Sequence, residues 1–199
     1  VSSVEGYKVI DGVKIPEEGN LIYRGYNIFD LVDGFLEDGR QGFEETMYLI
    51  LFGELPKKNE LKEFRQLLGK YRELPGHFVE NMILKNPSKN VMNKLQRSIL
   101  VLYSFDEDPE NMDIKNILEE SLKLISRFPT IVAYGYQAMR HYFDNESLVI
   151  HQPREDLTTA EYLLYLIRAD KKYTQKEVEV LDLCMLLHAD HGANNSSFA

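Results

Sequence analysis

Thr174-Gln175-Lys176-Glu177-Val178-Glu179-Val180-Leu181-Asp182-Leu183-Cys184-Met185-Leu186-Leu187-His188-Ala189-Asp190-His191 is the stretch on which the fold turns. Thr174 with Glu177 three residues later is a capping box: the hydroxyl takes an N–H of the first turn and the carboxylate reaches back to the cap. A helix is predicted to start here. The apolar run 183–187 reads as its deepest part, buried on all sides. His188, Asp190 and His191 leave that run directly, so two imidazoles and a carboxylate stand where polar groups are costly. If the helix continues through them, His188 and His191 share a face and converge on one small ligand. Gly192 suits a helix C-terminus, and Asn194, Asn195, Ser196 and Ser197 add amides and hydroxyls in an irregular turn. Imidazole and amide N–H groups donate to carboxylate and carbonyl oxygens, so the inventory suits a small polar organic acid. The plainer alternative leaves each histidine as a helix cap or a satisfied core group. His-x-x-His lacks the glutamate of a zinc-binding H-E-x-x-H motif, and Cys184 lies inside the apolar run, so no metal is expected.

Working back from this stretch, a second capping box, Thr158 with Glu161, starts a helix carrying Tyr162, Leu163 and Leu166. Apolar residues at spacings of three and four mark further helices. Ile28, Leu31 and Val32 predict a short one, loosened by Gly34 and Gly39; residues 43–52 make a compact one, closed by Gly53 and Pro56. Leu61, Phe64, Leu67, Leu68 and Tyr71 form an amphipathic stripe, and residues 77–84 follow as another helix. Met92, Leu95, Ile99 and Leu102 line the next, and Ile117, Leu118, Leu124 and Ile125 the buried side of 114–128. Pro129 is expected to interrupt, making 130–142 a separate or sharply kinked helix. Its small and apolar make-up predicts packing between other helices and across a subunit boundary. At the start of the chain, residues 7–10 and 13–15 flank Asp11-Gly12, a strong hairpin signal, and Pro16 is expected to end the hairpin. Residues 21–26 read as extended or irregular, with Arg24 a surface or stacking residue. His77 reads as a solvated residue in the first turn of its helix, and His141 and His151, in a polar loop over 141–153, as residues without organised neighbours and without a functional role. The fold class is all-α with a short N-terminal β-hairpin.

The chain has 199 residues, 44% hydrophobic and 28% charged, enough for one substantial core and too apolar for disorder. A net charge of −9 without a basic cluster argues against a nucleic-acid surface. One cysteine forms no internal disulfide, and no apolar run reaches bilayer length. A soluble protein in the reducing cytoplasm, with no membrane or nucleic-acid partner, is expected. The chain opens on Val1 and stops at Ala199, just past its densest polar cluster, which reads as a piece of a longer protein.

Several segments, in order, resemble the citrate synthase family, which includes 2-methylcitrate synthase. Leu21-Ile22-Tyr23-Arg24-Gly25-Tyr26 with Asp30-Leu31 is similar to the family's "L-x-Y-R-G-x-x-I-x-D-L" entry segment. Phe43-Glu44-Glu45, continuing to Gly53-Glu54-Leu55-Pro56, is similar to its "F-E-E…L-x-x-G-E-L-P" helix. Pro129-Thr130-Ile131-Val132-Ala133 and Ala160-Glu161-Tyr162-Leu163 fall where similar segments recur, and His188-Ala189-Asp190-His191 with Asn195 and Ser197 resembles "H-[SA]-[DE]-H-x-x-x-N-x-S". At Gly192 many members carry Glu, and at Phe198 some carry Ala, a pattern that resembles a bacterial subgroup.

The resemblance implies a helical homodimer whose large and small domains close over oxaloacetate, residues 1–199 being part of the large domain. It implies condensation of acetyl-CoA, a substrate and not a resident cofactor, with oxaloacetate, followed by hydrolysis of citryl-CoA. It makes His191 the histidine that hydrogen-bonds oxaloacetate, Asn195 a further polar contact, and His188 and Ser197 supporting residues of the same pocket. The helices at 92–103 and 130–142 correspond to family helices that pack antiparallel across the dimer boundary. The chemistry needs a base for a weakly acidic α-proton, a donor to the developing enolate and a donor to the ketone. The resemblance assigns these to an Asp and two His residues beyond residue 199, together with the arginines that clamp the carboxylates. The 199-residue chain alone is therefore expected to be inactive.

Overall fold

Asp11 and Gly12, at φ 51° and 80°, make the first reversal of the chain. Two successive positive-φ residues give the turn whose twist matches that of the strands it joins. Those strands are β1 (Ser2–Ile10) and β2 (Val13–Tyr23), antiparallel and considerably longer than the sequence pattern predicts. Arg24 and Gly25, at φ 49° and 92°, repeat the device and lead into β3 (Tyr26–Asn27), so residues 21–26 are strand, turn and strand, not an irregular segment. Pro16 does not end the hairpin: it lies opposite Tyr7, beside a register shift between Glu5 and Tyr7. The reason is that β3 pairs only with Ile22 and Tyr23. At Pro16, β2 is an edge, where a missing N–H is tolerated.

The computed structural model describes residues 1–190, in two units: one of residues 1–64 with the chain from Gln175 onward, the other of residues 65–174. In the first, the Asn27 side chain accepts the Phe29 N–H (2.9 Å) and starts α1 (Ile28–Glu37), which runs through Gly34 and buries Ile28, Leu31 and Phe35. Helix α2 (Phe43–Phe52) has the predicted bounds and ends on Gly53 in the left-handed region, φ 88°. Helix α7 (Gln175–Leu187) begins one residue after Thr174. Tyr23, Ile28, Leu31, Phe35, Leu49 and Leu186 make the core of this unit.

Helix α7 is not buried on all sides. Val178, Asp182 and Leu186, at a spacing of four, form its buried stripe, while Val180, Cys184 and Leu187 are exposed. A run of apolar residues fixes hydrophobicity, and neighbours on one side only decide which of them are covered.

Helix α3 (Lys58–Lys70) carries the predicted stripe, with Phe64 and Leu68 buried and Phe64 edge-on to Tyr48 (5.4 Å between ring centres). Beyond it, residues 79–84 form a π-helix (Val79–Leu84) where an α-helix is predicted, preceded by an exposed His77 at φ 62°. Helix α4 (Val91–Leu102) buries Lys94, Ser98 and Leu102, and leaves Met92 of the predicted stripe 65% exposed. Helix α5 (Ile114–Asp144) is continuous through Pro129. Tertiary contacts override the local signal on both sides of the proline: Arg127 Nε donates to the Glu73 carbonyl (3.1 Å), and Thr130 Oγ1 donates to the Arg72 carbonyl (3.1 Å). Ile117 is exposed and Leu122 takes the buried place. Helix α6 (Thr159–Ile167) has its capping box, with the Thr158 and Glu161 bonds both present.

The long connection between α5 and α6 is an organised strap. The Tyr134 hydroxyl donates to the His151 carbonyl, the Tyr165 hydroxyl to the Gln152 carbonyl (3.2 Å), and the Arg72 guanidinium to the carbonyls of Arg154 (2.6 Å) and Leu157 (2.8 Å). His151 is therefore buried, its Nε2 2.9 Å from the Arg168 carbonyl and its ring against Tyr165, contrary to the expectation that it has no organised neighbours. His141 also has local partners, Nδ1 lying 2.8 Å from the Glu146 carbonyl. The core here joins Phe78, Ile83, Leu102, Ile131, Tyr134, Tyr162 and Leu166. Among the described residues, no helix is long and apolar enough to cross a membrane.

Candidate functional site

The polar segment marked by sequence begins where α7 ends, at Leu187, one residue before His188. The last turn closes through bonds three residues back, His188 N–H to the Met185 carbonyl and Ala189 N–H to the Leu186 carbonyl, both 3.2 Å. The condition under which His188 and His191 would share a helical face is therefore not met: the helix stops before either. His188 is exposed, and its Nδ1 lies 2.7 Å from the Cys184 carbonyl, where a donor satisfies one of the free carbonyls of the helix end. Of the four residues singled out by sequence, His188 alone is among the described ones. His191, Asn195 and Ser197 lie outside them, as does Gly192.

Two residues to which sequence reasoning gave no individual role tie α7 to its neighbours, Tyr23 at its end and Asp182 within it. Tyr23 is the last residue of β2, 0% exposed, with its hydroxyl oxygen 3.0 Å from the Leu186 carbonyl, 3.4 Å from that of Leu187 and 3.3 Å from that of Asp190. The same oxygen accepts the Asp190 N–H at 3.4 Å. Burial pushes the Tyr23 pKa up, so the phenol keeps its proton and remains a donor. Asp182, one turn earlier on α7, accepts the backbone N–H groups of Gly42 (2.7 Å) and Phe43 (3.3 Å). A carboxylate at the N-terminus of α2 meets both the unpaired N–H groups and the positive end of the helix dipole. Gly42 is required at this contact because a Cβ would sit 2.0 Å from the buried Phe35 ring.

Arg24 does for α2 what Tyr23 does for α7. Its Nε and Nη2 donate to the Ile50 carbonyl at 3.1 and 2.9 Å, a cation at a helix C-terminus. The Tyr-Arg-Gly triplet thus turns the chain at Arg24-Gly25 and secures two helix ends with adjacent side chains. The signal available in sequence was the triplet itself, together with an acidic residue, Asp182, four residues from both Val178 and Leu186 in an apolar stripe. Among the described residues, no group of three or more His, Cys, Asp and Glu side chains could hold a metal ion.

The family model described as citrate synthase, C-terminal domain, matches residues 7–199. Citrate synthase 2 of Bacillus subtilis (strain 168) is 32% identical over 184 residues, 91% of this chain and 45% of that protein. 2-Methylcitrate synthase 1 of Corynebacterium glutamicum is 25% identical over 187 residues, 93% of this chain and 46% of that one. The citrate synthase of Pyrobaculum aerophilum is similar in structure with a TM-score of 0.75 at 31% identity, covering 100% of this chain and 46% of its own. The citrate synthase of Thermoplasma acidophilum, solved with carboxymethyl coenzyme A and oxaloacetate, has a TM-score of 0.76 at 22% identity, again over 100% of this chain and 46% of its own, a likeness of fold. The chain spans about half the length of the curated relatives it matches. A mostly helical fold behind a small antiparallel sheet, the ordered motifs and a family match over nearly the whole chain lead to one conclusion: this chain belongs to the citrate synthase family.

Proposed function

We propose that the intact protein condenses acetyl-CoA with oxaloacetate and hydrolyses the citryl-CoA formed, and that residues 1–199, part of its large helical domain, supply a portion of the keto-acid cradle. In this reading His191 donates to oxaloacetate, Asn195 adds a polar contact, and His188 and Ser197 support the pocket. The observation that supports it is that His188, Ala189 and Asp190, which directly precede His191 in the sequence, stand at an α7 end secured by a buried hydroxyl, within a chain of this family. Donors to the ketone and carboxylates work best when held in place before substrate arrives, because no reorganisation is then needed in the transition state. The Thermoplasma protein holds oxaloacetate, the acceptor this reading assigns, together with a derivative of coenzyme A, the carrier of the assigned acyl donor.

Thiol release from acetyl-CoA in the presence of oxaloacetate is the test. The intact protein is expected to turn over, and the 199-residue chain alone to release no thiol, because the proton-abstracting Asp and the partner histidines of the family lie outside this stretch. In the intact protein, His191→Ala is expected to raise the KM for oxaloacetate by about 10²-fold, since it leaves substrate oxygen without its donor in a dry pocket; an unchanged KM removes His191 from the site. Propionyl-CoA as the acyl donor is the second reading, favoured by the match to 2-methylcitrate synthases. One methylene is worth only about 1–3 kcal/mol of discrimination. The ratio of kcat/KM for the two thioesters decides between them.

The reading includes a homodimer built on the helices at 92–103 and 130–142. Met92 and Leu100 on α4, 65% and 74% exposed, support it, since both present large apolar side chains to solvent from one of the two elements concerned.

A further inference from the structure

We propose that Tyr23 is a positioning residue for the keto-acid cradle, setting through one buried oxygen where the chain leaves α7 for His191. The inference rests on the function proposed above. Its geometric basis is that the Tyr23 hydroxyl stands among the Leu186 carbonyl (3.0 Å), the Asp190 carbonyl (3.3 Å) and the Asp190 N–H (3.4 Å). One atom therefore ties the last turn of the helix to a residue three positions past its end and one position before His191. A hydroxyl has a single proton and two lone pairs, so it donates to one carbonyl at a time, that of Leu186 being nearest, while its oxygen accepts the Asp190 N–H.

The oxygen itself is rigidly held. The Tyr23 ring is fully buried among Ile28, Leu31, Phe35, Leu49 and Leu186, and its backbone pairs with Tyr26 across the Arg24-Gly25 turn. Displacing a substrate-binding group by about 1 Å can cost up to about 10²-fold, so an exit path fixed from the sheet is a direct route to acceptor affinity. Arg24, the next residue, supplies a built-in comparison. Its guanidinium grips α2 at the Ile50 carbonyl, whereas the Tyr23 hydroxyl holds the end of α7.

In the intact enzyme, Tyr23→Phe keeps the ring and removes the oxygen. The KM for oxaloacetate is expected to rise about tenfold, with kcat and the KM for acetyl-CoA within about twofold of wild type. Arg24→Ala is expected to lower the thermal midpoint and leave the KM for oxaloacetate unchanged. A Tyr23→Phe enzyme that loses thermal stability as Arg24→Ala does, with an unmoved KM, overturns the proposal. His191→Ala, measured alongside, separates the two failures: if it leaves the KM unmoved, the keto-acid reading falls and this inference with it, whereas a raised KM there and none in Tyr23→Phe removes the positioning role alone. Should Tyr23→Phe not fold, amide hydrogen exchange of the wild-type enzyme decides. Protection of the Asp190 amide comparable to that inside α7 supports the tie, and exchange at the rate of an unstructured chain overturns it.

Discussion

Lys94 shows what one residue can conceal. Lysine is almost never fully buried unless paired, yet Lys94 is 2% exposed, its ammonium donates to the carbonyls of Met82 and Asn86 (2.8 Å for the latter), and its stem lies where a Cβ on Gly135 would meet it at 3.3 Å. Burial, and then the charge of Arg97, lowers its pKa from 10.5 to about 8. The folded chain thus holds this proton less tightly than the unfolded one does. Between pH 8 and 10.5 the unfolded state binds more protons, so stability rises with pH across that window as the ammonium that is costly to bury becomes neutral. Lys94→Met, of similar length, is expected to flatten this rise in urea-unfolding midpoints measured from pH 7.5 to 10.5. At neutral pH its net effect is expected to stay within about 2 kcal/mol, because two carbonyls lose a donor while a buried charge disappears. An equally steep pH dependence in the variant would assign the titration to another group.

At the scale of elements, α5 is the clearest departure from local rules. Pro129 lacks the N–H that would bond four residues back, and its ring crowds that carbonyl, yet the helix runs from Ile114 to Asp144. Its two halves are held by separate partners, Glu73 before the proline, Arg72 and Tyr162 after it. If those contacts alone sustain the path, Pro129→Ala restores a backbone bond and is expected to stabilise the protein by about 1–2 kcal/mol, less than the full helix-interior penalty because alanine also frees the unfolded chain. Thermal and denaturant midpoints measure it. A lowered midpoint would show that the geometry proline imposes is what lets α5 meet its partners. The same lesson runs through the strap, whose His151 has no local pattern to announce it: its partners come from Tyr134, Tyr165 and Arg168, all brought near by helix packing.

For the whole molecule, the proposed dimer makes the sharpest prediction. Replacing both Met92 and Leu100 by Asp puts charge on the exposed apolar positions of α4 without touching its buried Lys94, Ser98 and Leu102. In the intact protein, sedimentation is expected to show a dimer for wild type and a monomer for Met92→Asp/Leu100→Asp, with the circular dichroism of both alike; a dimeric variant would place the interface elsewhere.

Periodicity and capping were sufficient for the helical class, for the bounds of α2, for the start of α6 and for the Asp11-Gly12 reversal, because each depends on neighbours within about one turn of chain. The ordered motifs carried the family. Which side of α7 is covered, why β2 continues past Pro16 and α5 through Pro129, and why Tyr23 and Asp182 tie α7 to β2 and α2 were decided by tertiary structure. Those outcomes depend on partners outside the local stretch: Thr130 and Arg72 are 58 residues apart, and Tyr23 with Leu186 and Gly42 with Asp182 more than a hundred. A buried polar group is settled by whichever distant atom satisfies it, and local sequence does not contain that atom.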